Sequence, residues 1–228
     1  MKKTLTIAAA IVIAGAMLPI SVSRLKSFER TVDVKGLCEK EVMADKVIWP
    51  LTYKVVGDEL SPVLSEIESN NSAIVRFLKA GGIEDAEITI STPAISDKYA
   101  SEYGSNDRVF RYLATCTITV CTDKIDRMLS LQASQSDLLR SGITFSSDWG
   151  TEPQFKFEAL NDIKPEMIAE ATANARQAAD KFAKDSDSRI GKIKTAGQGT
   201  FSIEDRDSNT PQIKRVRVVT YVTYYLKN

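Results

Sequence analysis

The chain has 228 residues, 43% of them hydrophobic and 26% charged, which is typical of a globular protein. It carries 30 basic and 30 acidic side chains, and the resulting net charge of zero argues against nucleic acid as a partner. Histidine is absent, so Ser-His-Asp and Cys-His catalysis, histidine acid–base chemistry and most zinc sites are excluded.

The N-terminal residues have the pattern of an export segment. Lys2 and Lys3 precede residues 4–22, which carry no charge and include small residues that suit signal cleavage. An uncharged run of this length can also just span a bilayer as a helix. We therefore expect residues 1–23 to be either a cleaved signal peptide or an N-terminal membrane anchor, and residues 24–30 to be a linker. Both alternatives put the folded part in the cell envelope, either periplasmic or anchored to the inner membrane and facing the periplasm.

Two strands are predicted at the start of the folded part. Apolar and polar residues alternate from Thr31, which indicates a half-buried strand, and residues 46–56 repeat the pattern. Pro50 predicts that the second strand is bulged or at an edge, because proline donates no backbone hydrogen bond. The acidic residues between the strands suit a solvated strand end better than an acid–base site, which needs a carboxylate in an apolar cleft. These residues are Glu39, Glu41 and Asp45.

A helix and two further strands complete the first half. Ser61 and Pro62 have the pattern of an N-cap and first turn, and Gly81–Gly82 that of a helix end. Strands are expected at about 86–95 and 109–121, with a polar loop between them. The helix has an apolar stripe made of Leu64, Ile67, Ile74, Val75 and Leu78.

The second half follows residues 123–141, which are predicted to form one or two short helices. Strands are then expected at 142–148 and 153–159. After a helix at about 163–185, a strand at about 190–202, a polar loop and a last strand at 213–226 complete the chain. The apolar stripe of the helix consists of Met167, Ala171, Ala175, Ala178 and Phe182.

The two halves have the same predicted order of elements. Residues 31–121 and residues 142–226 both follow the order β-β-α-β-β, and the helical segment 123–141 joins them. A sheet whose apolar face is covered by helices makes a two-layer structure. The sequence therefore predicts an α+β fold with two similar halves, in which antiparallel sheets carry helices packed on one face.

Several short motifs, taken in order, resemble those of the SIMPL domain family of bacterial envelope proteins. The resemblance covers nearly the whole chain after the N-terminal segment. It implies an exported or membrane-anchored α+β protein; some members are periplasmic or outer-membrane immunogens, some are linked to oxidative-stress tolerance, and some assemble into ring-like oligomers. The family has no established catalytic residues, so none is assigned here. The motifs are R-T-V-D-V-K-G at 30–36, A-D-K-V at 44–47, G-G-I at 81–83, A-E-A-T-A-N-A-R-Q-A-A-D-K-F-A at 169–183, R-I-G-K-I at 189–193 and R-V-R-V at 215–218.

The three cysteines are too few, and odd in number, for a disulfide framework. Cys38 and Cys116 lie on the apolar faces of predicted strands, where each suits a buried thiol. A disulfide between them is the alternative in an oxidising compartment. Cys121 lies on a threonine-rich face at a strand end and is the candidate exposed thiol, with redox sensing as one interpretation.

Two basic residues of the last strand form a candidate interaction surface. Arg215 and Arg217 share its polar face, which suits either a solvated surface or a contact with another subunit or an anionic surface. The preceding segment 205–209 begins like a calcium loop. Thr210 and Val216 replace the glycine and glutamate that such a loop requires, so a turn is predicted instead.

No catalytic, cofactor-binding or metal-binding constellation is recognisable in the sequence. We therefore expect a non-enzymatic envelope protein that acts by self-assembly as a homo-oligomer or by binding a protein partner that the sequence does not identify. Membrane contact is expected through residues 4–22 if they are not cleaved. The alternatives are a thiol-based redox-responsive protein and a carboxylate-using enzyme.

Overall fold

A computed structural model of the protein describes residues 30–100, 109–146, 148 and 150–227. The expected signal peptide or anchor at residues 1–23 lies outside the described residues. The helices are α1 (Leu60–Ala80), α2 (Ile125–Ala133), α3 (Ser136–Arg140) and α4 (Leu160–Asp185). The strands are β1 (Thr31–Met43), β2 (Lys46–Gly57), β3 (Ile88–Ile90), β4 (Ala94–Asp97), β5 (Tyr112–Thr122), β6 (Gln154–Lys156), β7 (Arg189–Gln198), β8 (Ser202–Asp205) and β9 (Ile213–Lys227).

These elements confirm the α+β class, with helices and antiparallel sheets in one chain. Of the helices in the described residues, none is both long and apolar enough to cross a membrane. Contacts divide the chain into two compact units, each assembled from segments distant in sequence. The described part of the first unit is 30–41, 160–204 and 215–227, and that of the second is 42–159 without its undescribed residues, together with 205–214.

The first unit is a sheet with a helix on one face. Its strand order is β1-β9-β7, so β9 is central, and β8 also pairs with β9. Strand β7 is antiparallel to β9, its register shifts twice between Ile190 and Thr195, and none of its residues is fully buried. Helix α4 buries a row of residues spaced four apart, which is one face of a helix. They are Met167, Ala171, Ala175, Ala179 and Ala183.

Strand β1 and helix α4 approach so closely that one position has no room for a side chain. A Cβ at Gly36 would lie 1.8 Å from the carbonyl oxygen of Ala171 and 2.6 Å from the backbone nitrogen of Ala175. Glycine on the strand and alanine on the helix therefore let the two backbones pack directly against each other. Apolar side chains complete this core, namely Val34, Val222 and Tyr224.

The second unit is a five-stranded sheet with α1, α2 and α3 over one face. Its order is β3-β5-β2-β6, and β4 also pairs with β5. Strands β2 and β5 run antiparallel from the pair Val47 and Thr122 to the pair Gly57 and Tyr112. Strand β6 pairs only with residues 46–48, so Pro50 lies beyond its end. Alternate residues of β2 and β5 face the helices and form the core, including Trp49, Leu51, Tyr53, Ile118 and Val120.

Several predicted elements differ in detail. Helix α1 begins at Leu60 after Glu59, so Ser61 is not its N-cap. In the stripe of α4 the last member is wrong, because Phe182 is 60% exposed and Ala183 is buried in its place. Ala178 packs against the core but is only partly buried, whereas Ala179 is fully buried. The strand expected at 142–148 is reduced, within its described residues, to a single bridge from Phe145 to Tyr53. The strand expected at about 86–95 is two short strands, β3 and β4.

The compact units do not coincide with the consecutive halves 31–121 and 142–226. Strand β1 pairs with β9 from the other end of the chain and shares the first unit with α4. Periodicity identifies which residues form a strand, but it carries no information about which strand lies beside it. The helical segment between the predicted halves does form, as α2 and α3.

Candidate functional site

All three cysteines are free thiols, so the disulfide between Cys38 and Cys116 does not form. Burial raises the pKa of the Cys38 thiol to about 11, and a hydrogen bond to the Glu170 carboxyl contributes in the same direction. Burial also raises the pKa of Cys116, and a hydrogen bond with Tyr53 opposes this rise. Both are protonated at neutral pH and poor nucleophiles.

Cys121 is exposed, as the sequence predicts. It is the last but one residue of β5 and lies opposite Ile48 of β2. Its side chain is on the face of the sheet that the helices do not cover. Lys46, nearby on β2, pairs with Glu158 at 3.3 Å. Cys121 is therefore the thiol that a reagent in solution can reach.

We expect a thiol reagent to modify Cys121 in the native full chain while Cys38 and Cys116 stay unmodified. The reason is that Cys38 and Cys116 are 1% and 2% exposed and need the native packing to open. Mass spectrometry of peptides after brief labelling at neutral pH measures the three sites, and labelling in urea provides the control in which all react. Labelling of Cys38 as fast as Cys121 would contradict the described burial.

Strand β1 extends to Met43, so of the three predicted strand-end acids Glu39 and Glu41 lie within β1 and only Asp45 lies between β1 and β2. The Asp45 carboxylate accepts backbone N–H groups from Glu158 at 2.8 Å and from Ala159 at 2.7 Å, just before α4 begins. Glu39 forms an ion pair with Arg217, with 3.2 Å between Oε1 and Nε. The strand-end interpretation is therefore confirmed for Asp45, whereas Glu39 pairs with a cation on a neighbouring strand.

The acidic segment before β9 is a turn, as predicted. Asp207 accepts hydrogen bonds from the backbone N–H groups of Asn209 and Thr210, each at 2.9 Å. Hydrogen bonds from the Thr210 hydroxyl and from Arg206 hold the pKa of Asp207 far below its ordinary value. Asp205 instead pairs with the nearly buried Lys214. Among the described residues, no three cysteine, aspartate or glutamate side chains are grouped to hold a metal ion.

The face of the first unit's sheet that α4 leaves uncovered, here called the open face, carries matched pairs from β1 and β9. The hydroxyl of Thr223 donates a hydrogen bond to Oδ1 of Asp33, with 2.5 Å between the two oxygens. The ammonium of Lys35 lies 5.2 Å from the centre of the Tyr221 ring. The third pair is Glu39 with Arg217. From pair to pair the position moves forward on β1 by two and then four residues and backward on β9 by the same numbers, as in an antiparallel ladder.

A groove of about 430 Å³ lies on the open face. Leu37 is 41% exposed and Tyr221 is 47% exposed, so the groove presents apolar surface to solvent. Both charged residues that line it are cations, Lys35 and Arg217. The full lining is Lys35, Leu37, Thr200, Ser202, Arg217, Val219 and Tyr221.

The connection between β7 and β8 forms one wall of the groove because Gly199 lies against β9. Its N–H donates to the carbonyl oxygen of Val219 at 2.8 Å. A Cβ at Gly199 would lie 2.8 Å from that oxygen and 3.3 Å from Cε2 of Tyr221. Glycine thus permits the close approach that brings Thr200 and Ser202 to the groove. Gly199 therefore has a packing role in this connection.

The structure brings only one of the two predicted interface residues into the groove. Arg217 lines it, whereas Arg215 lies two residues earlier on the same exposed face and is not part of the lining. Sequence reasoning missed Lys35 and Tyr221. The alternating pattern of β1 puts Lys35 on its polar face, but only the pairing of β1 with β9 brings it beside Tyr221.

Comparison with known proteins gives a family. The SIMPL family model, described as a protein of unknown function (DUF541), matches residues 32–224. Among curated proteins, none matches the chain. The family match begins in β1 and ends in β9, so it spans both compact units and every residue that lines the groove. The chain belongs to the SIMPL family.

Proposed function

We propose that this SIMPL-family chain is a non-enzymatic protein of the cell envelope that acts by assembling with further copies of itself or by binding a protein partner. The observation that supports the proposal is the open face, where apolar Leu37, Val219 and Tyr221 lie between two cations. Exposed apolar surface with a charged rim is typical of interaction surfaces. Export through residues 1–23 is part of the same proposal and rests on their charge and hydrophobicity pattern.

We expect the full chain in mild detergent to have a molar mass that is a discrete multiple of the protomer mass. Light scattering after size exclusion, corrected for bound detergent, measures it. The double variant Arg215→Glu and Arg217→Glu is expected to shift the mass towards that of the protomer. Each substitution replaces a cation of the open face with an anion, which would repel the carboxylates that the arginine contacts on another copy.

The control for this experiment reverses one charge on the opposite side of the same unit. Lys181 on α4 is 79% exposed, and Lys181→Glu should leave the mass unchanged. A strict monomer at all concentrations would count against self-assembly and leave partner binding as the remaining form of the proposal. Equal masses for the wild type and the double variant would remove the two arginines from the interface.

A second candidate function is a thiol-based redox response at Cys121, favoured by the exposure of that side chain. The thiol labelling described above tests its first requirement. Reversible peroxide oxidation confined to Cys121 would support it, and an unreactive Cys121 would remove it.

A further inference from the structure

We propose that the groove on the open face is a binding site for a phosphate ester. Its two charged lining residues, Lys35 of β1 and Arg217 of β9, are both cations and come from neighbouring strands. Lys35 contacts Tyr221 and Arg217 contacts Glu39, so the two cations lie roughly 13 Å apart along the strands at the backbone, and their long side chains would reach one phosphate group from opposite ends of the groove. An arginine and a lysine suit a phosphate group together, because the guanidinium donates from a planar fork while the ammonium acts as a compact point charge.

The remaining lining residues suit an ester better than a free inorganic ion. The hydroxyl groups of Thr200 and Ser202 on one wall can donate to phosphate oxygens or to a polar substituent. Leu37 and Val219 offer apolar contact to the organic part. The volume of about 430 Å³ falls within the range of roughly 300–1,000 Å³ found for small-molecule sites.

Glu39 limits the strength of the site. Its carboxylate lies 3.2 Å from Nε of Arg217 and competes with a ligand for the guanidinium. The side chain of Arg217 is 52% exposed and that of Glu39 is 45% exposed, so water and salt screen their charges. We therefore expect weak, salt-sensitive binding in which Glu39 acts against the ligand.

This inference goes beyond self-assembly, since a groove within one unit of one protomer can bind a small anion without a second copy. Self-assembly and phosphate-ester binding can fail separately. Ligand binding is measured by calorimetry and assembly by light scattering, and either result can be positive while the other is negative.

The test is a calorimetric titration of the full chain with glycerol 3-phosphate, with glycerol as the uncharged control. We expect saturable binding of the phosphate ester that weakens as salt is added, and none of glycerol. Lys35→Gln should weaken binding by about tenfold or more, because it removes a charge-assisted contact. Lys181→Gln removes the same charge from the exposed face of α4 and should leave the affinity unchanged.

A second variant separates the proposal from a folding defect. Glu39→Gln removes the carboxylate that competes for Arg217, so binding should become tighter, whereas Glu68→Gln on the exposed face of α1 should have no effect. Damage to the fold would weaken binding and not strengthen it. The proposal is overturned by absence of saturable binding, by equal losses in the two lysine variants, or by an unchanged affinity in Glu39→Gln.

Vesicles distinguish a lipid headgroup from a soluble phosphate ester. Flotation of the full chain with phosphatidylglycerol vesicles is compared with flotation with phosphatidylcholine vesicles, for the wild type and for Lys35→Gln. A loss of phosphatidylglycerol binding in the variant assigns the site to a lipid headgroup. Unchanged flotation together with weaker glycerol 3-phosphate binding assigns it to a soluble ester.

Discussion

Replacing Gly36 with alanine is expected to lower the free energy of unfolding by about 3 kcal/mol or more. The new Cβ would lie 1.8 Å from the carbonyl oxygen of Ala171 and 2.6 Å from the nitrogen of Ala175. Both are backbone atoms of α4, so no rotamer change relieves the overlap. Strand and helix must move apart, and the alanine row of α4 then loses its contact with the sheet. Urea denaturation of the full chain, followed by far-UV circular dichroism, measures the loss.

Gly197 provides the matched control for this substitution. It also lies on a strand of the first unit, but a Cβ there would meet no atom within 4 Å. Gly197→Ala should therefore change the free energy of unfolding by no more than about 0.5 kcal/mol, because the new methyl group meets no atom and alanine restricts the unfolded chain. If Gly36→Ala were as stable as Gly197→Ala, the direct contact of the β1 backbone with α4 would be wrong.

Replacing Ile74 with alanine is expected to lower the free energy of unfolding by about 2–5 kcal/mol. Ile74 on α1 is fully buried, at 0% exposure, in the core of the second unit. The substitution removes three carbon atoms from this core and leaves a cavity that the sheet and helices can only partly fill. Thermal and urea denaturation of the full chain measure the change.

Leu64→Ala on the same helix is the control, because Leu64 is 41% exposed. Leu64→Ala should lower the free energy of unfolding by less than about 1 kcal/mol, since the exposed leucine contributes little packing and alanine favours the helix slightly. The sequence predicts both residues in one apolar stripe, and the two substitutions separate the buried member from the exposed one. Equal losses at the two positions would contradict the orientation of α1.

Elements with a strong period could be predicted from the sequence. The alternation in β2, β5 and β9 and the glycines after α1 gave these elements near their observed bounds. The stripe of α1 was less accurate, since Val63 is buried where Leu64 was expected. Adjacent apolar residues fit a helical stripe almost equally well, and the packing of the sheet against the helix decides which of them is buried.

The candidate site was predictable only in its local part. Arg217 and the exposure of Cys121 follow from alternation within one strand. Lys35, Thr200 and Ser202 reach the groove through contacts of β1 and of the β7–β8 connection with β9, far apart in sequence. No local pattern encodes such long-range pairing, which also explains why the predicted halves differ from the compact units.

The irregular strand at one side of the first unit's sheet bears on aggregation. Among the described strands β7 is the last in that sheet, its register shifts twice, and it carries exposed Lys192 and Lys194. Bulges and lysines on an outer strand hinder a neighbouring molecule from adding a strand of its own, which is how many β-proteins avoid fibre growth. The β7 side of this sheet is therefore poorly suited to strand addition by a second molecule, even when the protein is concentrated.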